Sequence, residues 1–183
     1  MRTTWRWPRD HDESDLIVSE MDEVIPALVA AVQEQHATGD HYRDDAIRQA
    51  MEHQAQLALR PGPVRVDVIV DPPWSDGQIN SVQVVTGDRP FLVDTVASCL
   101  LRHGWRVEDV RHPIIGVKRD RGTIEAVGMP GRGGCASESW IHIDATAPLG
   151  TDIGQAAEQL RDDLCACLDQ VVCATDDWGA IGL

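Results

Sequence analysis

His112, His142 and Asp144 are residue types that bind divalent metals or move protons, and neighbouring strands would bring the two imidazoles onto adjacent rungs. A small metal-dependent hydrolase built on these three residues is one reading. Spacing fixes no further ligand, however, and His112 precedes Pro113, where a strand must bulge or run along an edge. Hydrogen bonding at the border of the core is therefore the plainer account. Gly131-Arg132-Gly133-Gly134 has the glycines of a phosphate loop but neither the Gly-x-Gly-x-x-Gly spacing nor a strand and helix around it, so it reads as a loop. The cysteines, Cys99, Cys135, Cys165, Cys167 and Cys173, are odd in number and contain no Cys-x-x-Cys pair. Neither a disulfide framework nor a zinc knuckle is indicated, and the thiols are expected to be reduced. Cys165 and Cys167 lie about 200° apart around a helix, which predicts Cys167 in the core and Cys165 at the surface.

Asp88, Arg89, Pro90 and Phe91 offer a different chemistry, because they stand where the hydrophobic period changes. Val82 and Val84 alternate as in a half-buried strand, whereas Leu92, Val93, Val96, Ala97, Leu100 and Leu101 recur at helical spacing. Gly87 tolerates a positive φ, Pro90 suits the first turn of a helix, and Asp88 reads as the helix cap. A strand that turns straight into a helix points backbone amides outward, and such an end receives a carboxylate or another small anion. These four residues are the candidate effector- or interface-binding site.

The elements that hold this turn follow from pattern. Residues 1–62 read as an N-terminal helical annex. Its first stripe is Leu16, Ile17, Met21, Val24, Ile25, Leu28, Val29 and Val32, with Pro26 expected to kink or divide it. Its second is Ile47, Ala50, Met51, Gln54, Leu57 and Ala58, with Asp40 as a cap. Residues 63–183 read as an α/β sandwich domain. Val64, Val66, Val68 and Val70 form a strand that makes a hairpin with Ile79 to Thr86, facing the helices through its valines while Arg65 and Asp67 face away. Trp105 to Arg119 is a long strand interrupted at Pro113, and Thr123 to Val127 pairs back on it. In the next strand Trp140, His142 and Asp144 share one side, Ile141 and Ile143 the other. Ile153, Ala156, Ala157, Leu160, Leu164, Cys167, Leu168 and Val171 make the last helix, capped by Thr151 or Asp152. Nothing after Val171 reads as a strand, so the strand at residues 64–70 is expected to fill the sheet edge from before the core.

A formal charge of -14, from 30 acidic and 16 basic residues, argues against nucleic acid and against an anionic membrane surface. No apolar run is long enough to span a bilayer or to form a signal peptide, and a cytoplasmic location is expected.

Three blocks in order carry a family resemblance: Val84-Val85-Thr86-Gly87-Asp88-Arg89-Pro90-Phe91-Leu92-Val93-Asp94, then His112-Pro113 with Val117-Lys118-Arg119-Asp120, then Glu138-Ser139-Trp140-Ile141-His142-Ile143. They resemble the N-terminal ACT-like region of the large bacterial NAD-specific glutamate dehydrogenases. The resemblance implies an α+β, ACT-like (ferredoxin-like) antiparallel sheet with two packed helices, in a non-catalytic regulatory or assembly module. The parent enzyme would convert glutamate to 2-oxoglutarate and ammonium with NAD. Its implied partners are other domains or subunits of the same enzyme, in a homo-oligomer, and an amino-acid effector at the turn. In amino-acid-binding ACT domains a glycine commonly follows the turn proline, whereas Phe91 stands here. It is expected either to plug the pocket or to pack on a partner. Glutamate-type dehydrogenases use several lysines at the substrate, and Lys118 is the only lysine in this chain, so catalysis must lie elsewhere. The family continues beyond a position like Leu183, so the chain is expected to be either a truncated piece of such an enzyme or a natural short protein. A free-standing ACT-type amino-acid sensor is the alternative.

Overall fold

Every residue of the central strand from Asn80 to Thr86 is buried, which requires cover on both faces of the sheet. The computed structural model describes residues 21–35, 44–75 and 77–180. Within them the order is α1 (Met21–Gln35), α2 (Asp44–Ala58), β1 (Val64–Ile69), β2 (Asn80–Gly87), α3 (Leu92–Arg102), β3 (Arg106–Arg111), β4 (Ile114–Asp120), β5 (Thr123–Gly128), β6 (Ala136–Thr146) and α4 (Ile153–Ala180). The sheet is antiparallel with the order β1-β2-β6-β4-β5, and β3 also pairs with β6. This is the expected α+β, ACT-like arrangement. The strand from before the core, β1, occupies the edge beside β2.

β3 and β4 are the two halves of the strand read from Trp105 to Arg119. Both pair with β6, through Arg111 opposite His142 and Ile114 opposite Ser139. The break falls at His112-Pro113, where the Pro113 carbonyl accepts the Trp140 amide at 3.0 Å. β4 and β5 approach so closely at Gly116 that an added Cβ would sit 2.4 Å from the Gly128 carbonyl oxygen. Only glycine fits there.

One face of the sheet packs Val66, Val82, Val84, Ile141 and Ile143 against Leu92, Val96 and Leu100 of α3 and Leu160, Leu164 and Leu168 of α4. The other packs Val85, Ile115, Val117 and Trp140 against Val24, Leu28 and Val32 of α1 and Met51, Leu57 and Ala58 of α2. Each such side chain taken from water contributes roughly 1.5–3 kcal/mol. Asp152 caps α4 by accepting the Gln155 amide at 3.0 Å.

Several expectations are corrected. α1 runs through Pro26 without dividing. Leu16, Ile17 and Asp40 lie outside the described residues. Arg65 and Asp67 do turn away from α3 and α4, but the face they reach is covered by α2: Arg65 is only 6% exposed and donates from Nε to the Arg60 carbonyl, and Asp67 accepts from Arg60 at 3.0 Å. Cys165 and Cys167 are both half-buried against the α3/α4 core, because the stripe of α4 is wide enough to include both. Among the described residues no helix is long and apolar enough to cross a membrane.

Candidate functional site at the strand-to-helix turn

β2 ends at Gly87, and the chain is held at once by the Asp88 amide, which donates to the Ser137 carbonyl at 2.8 Å. The Asp88 side chain was expected to cap α3. Instead it looks back to the sheet and accepts the Ser139 hydroxyl at 2.6 Å, while His112 Nε2 lies 3.0 Å from the same Ser139 oxygen. The serine has one hydrogen and gives it to the carboxylate, so His112 must donate. In a nucleophilic triad the histidine takes the serine proton; here that proton is committed to Asp88, and Ser139 is fully buried. The trio is a brace. Burial pushes the His112 pKa below the usual histidine range, and the nearby Asp88 charge opposes that shift.

Arg89 reaches the C-terminal part of α4. Its Nη1 donates to Thr175 Oγ1 at 3.1 Å and to Asp176 Oδ1 at 2.5 Å, fastening the turn to the last turns of α4. Pro90 precedes the helix instead of joining it, since α3 starts at Leu92. Phe91 is the N-cap, with φ 70° and ψ 6°, and no side chain caps the helix. The left-handed residue is thus Phe91 and not Gly87, whose φ is not positive. Phe91 accepts the Thr95 amide through its carbonyl, and the residue is 57% exposed, so it plugs no closed pocket among the described residues. A left-handed backbone costs a residue with a Cβ about 1–2 kcal/mol, which glycine would not incur. Two buried polar atoms adjoin this ring of residues without a hydrogen-bond partner among the described residues: Thr86 Oγ1 and Arg89 Nε. Together with the first amides of α3 they give the turn donors suited to a carboxylate.

A family model described as glutamate dehydrogenase, ACT1 domain, matches residues 27–164, from within α1 to the middle of α4. The chain belongs to that family. No curated protein matches it.

The second polar cluster of this ACT1 domain lies on the α2 face and escaped sequence reasoning in part. His142 was anticipated; His53, Gln83 and Arg111 were not. Gln83 Nε2 donates to the Ala50 carbonyl at 2.9 Å and to His142 Nδ1 at 3.2 Å, and its Oε1 accepts from His53 Nδ1 at 2.8 Å. His142 Nε2 then carries the hydrogen and donates to Asp144 at 3.0 Å, whose other oxygen accepts from Arg111. Burial holds the His142 imidazole below its usual pKa, with Arg111 acting in the same sense and Asp144 opposing. For Asp144 burial works against ionisation, but His142 and Arg111 outweigh it and keep the carboxyl below its usual range. The network pins α2 to the sheet.

His112 and His142 therefore serve different faces, His112 toward Ser139 beside α3 and His142 toward α2. No single ion can join them. Among the described residues no group of three or more histidine, cysteine or acidic side chains is placed to hold a metal. A shallow cavity of about 260 Å³ at the start of α4 includes Asp152, whose carboxylate already serves as the cap, so it offers no second anion site.

Proposed function

We propose that this ACT1 domain is a non-catalytic regulatory and assembly module of an NAD-dependent glutamate dehydrogenase, working in the cytoplasm within a homo-oligomer. The parent enzyme interconverts glutamate with 2-oxoglutarate and ammonium, using NAD bound by other domains. Asp88, Arg89, Pro90 and Phe91 are its point of contact. Asp88 and Arg89 brace the turn from behind, and Pro90 and Phe91 present it outward to another domain or subunit of the enzyme. The observation that carries this reading is Phe91 itself: a large apolar side chain kept exposed, on a strained backbone, at the start of a helix. Strain retained at an exposed position is characteristic of contact sites.

The unpartnered Thr86 Oγ1 and Arg89 Nε favour a second reading, an amino-acid effector seated at the same turn and completed by the partner surface. A melting-temperature panel of amino acids, 2-oxoglutarate and NAD tests both. Only ligands bound to the native state raise the midpoint. A rise with an amino acid supports the effector reading, and NAD should leave the midpoint unchanged. NADH formed from glutamate by the purified chain, above a heat-killed control, would overturn the non-catalytic assignment.

A further inference from the structure

Gln83 ties α2 to the sheet through hydrogen bonds that admit one arrangement of protons. Its two amide hydrogens go to the Ala50 carbonyl of α2 at 2.9 Å and to His142 Nδ1 of β6 at 3.2 Å, while its oxygen accepts from His53 Nδ1 at 2.8 Å. A carbonyl only accepts, so Ala50 fixes which way round the Gln83 amide lies. His142 is then neutral, with its hydrogen on Nε2, where Asp144 lies at 3.0 Å and Ser81 Oγ at 3.5 Å. A second proton has only Nδ1 to occupy, and there it points at the Gln83 amide hydrogens. Turning the amide over removes that clash but sets the Gln83 oxygen against the Ala50 carbonyl. Gln83 is fully buried, so neither arrangement is relieved by water. A doubly protonated His142 and an intact Gln83–Ala50 link exclude one another.

The groups around His142 come from every element packed on it. β6 supplies Asp144, and β3 supplies Arg111, which donates to Asp144 and meets Asp109 at 3.1 Å. β2 supplies only the neutral Ser81 and Gln83. α2 supplies His53, whose Nε2 lies 3.8 Å from Asp67 of β1, a carboxylate that Arg60 also reaches. A proton added to His53 therefore sits on Nε2 toward Asp67 and leaves Nδ1 donating to Gln83 as before. The two histidines act on one glutamine in opposite senses. Burial disfavours a charged His142, Asp144 and Asp109 favour it, and Arg111 works against it, with burial prevailing.

We propose that the Gln83–His142 pair is a proton-sensitive latch: one proton taken up at His142 frees the Ala50 turn of α2 from the sheet while the α3/α4 face stays packed. Gln54, the other polar tie of α2, donates to the Val84 and Ile141 carbonyls at 3.3 and 2.9 Å, and those bonds do not change with pH. On the opposite face the sheet meets α3 and α4 through an apolar core, and His112 donates to Ser139 whether or not it gains a proton. The folded value of His142 lies below its ordinary one, so the link is complete above about pH 6.5 and weakens as pH falls through it. One proton separates the docked from the released state, so opening of α2 rises by at most about tenfold per pH unit below that point. The latch does not depend on what meets Phe91.

Amide hydrogen exchange of the full chain at pH 7.5 and 5.5, read by mass spectrometry and corrected for the intrinsic pH dependence of exchange, tests the latch. Peptides from α2 should lose about tenfold in protection between the two pH values, while peptides from α4 keep theirs. His142→Gln, neutral at both pH values, should abolish the change in α2, and His53→Gln should retain it. Nitrogen shifts of the histidine rings in the native chain give a reading that needs no variant: neutral His142 should carry its hydrogen on Nε2. Protection of α2 that does not vary with pH would overturn the proposal, as would an equal loss in α2 and α4, which is acid unfolding of the whole chain. A pH response that survives in His142→Gln, or a hydrogen found on Nδ1 of neutral His142, would overturn it too.

Discussion

Replacing Phe91 by glycine and, separately, by alanine separates the two things this residue does. The residue is 57% exposed, so of the roughly 200 Å² that a phenylalanine carries, about 85 Å² is withdrawn from water. At about 25 cal/mol per Å² that remainder is worth about 2 kcal/mol, and both substitutions lose it. Alanine retains the cost of a Cβ at φ 70°, whereas glycine is released from it. The release, about 1–2 kcal/mol, is partly offset by the extra freedom glycine gives the unfolded chain, about 0.5–1 kcal/mol. Phe91→Ala should therefore cost about 2 kcal/mol and Phe91→Gly about 1 kcal/mol. Urea unfolding with an unchanged m-value reads both. A glycine variant less stable than the alanine variant would refute the left-handed assignment. A loss of 3–5 kcal/mol in both would show a ring buried within the chain, as a plug requires.

Stability should fall as pH drops below about 6.5, because the unfolded chain protonates its histidines at ordinary values while the folded chain resists at His142 and His112. Stability rises with pH wherever the unfolded state binds more protons, so a urea midpoint that stayed flat from pH 8 to 5.5 would contradict the neutral His142 network. Val68→Asp should cost about 3 kcal/mol or more, since Val68 packs on the α3/α4 core, and the loss should appear in the melting midpoint. Asp67→Asn should cost less than about 1 kcal/mol, reflecting a pair with the exposed Arg60; equal losses from the two changes would mean β1 is in the wrong register.

Much of the fold was legible because patterns of period 2 and 3.6 are local. The alternation from Val64 to Val70, the break at His112-Pro113 and the stripe of α4 each placed an element correctly. What failed was reach across elements. Gln83 sits between Val82 and Val84 as an outward polar residue should, yet α2 covers it completely, and no spacing within β2 announces a helix from 30 residues earlier. The same cover turned Arg65 from a surface residue into a buried one. At the turn the strand, the proline and the helix start were readable, but the conformation passed to Phe91 because Asp88 was drawn back to Ser139, a partner 51 residues away. The histidines were separable only after the register put Arg111, and not His112, opposite His142.

The mass of the chain in solution, measured by size exclusion with light scattering for the native protein and for Phe91→Gly, tests the assembly claim most directly. The native chain should run as an oligomer and the glycine variant, still folded by its urea midpoint, as a monomer. A native chain that is already monomeric at every concentration, or a glycine variant whose mass is unchanged, would contradict a partner surface at Phe91.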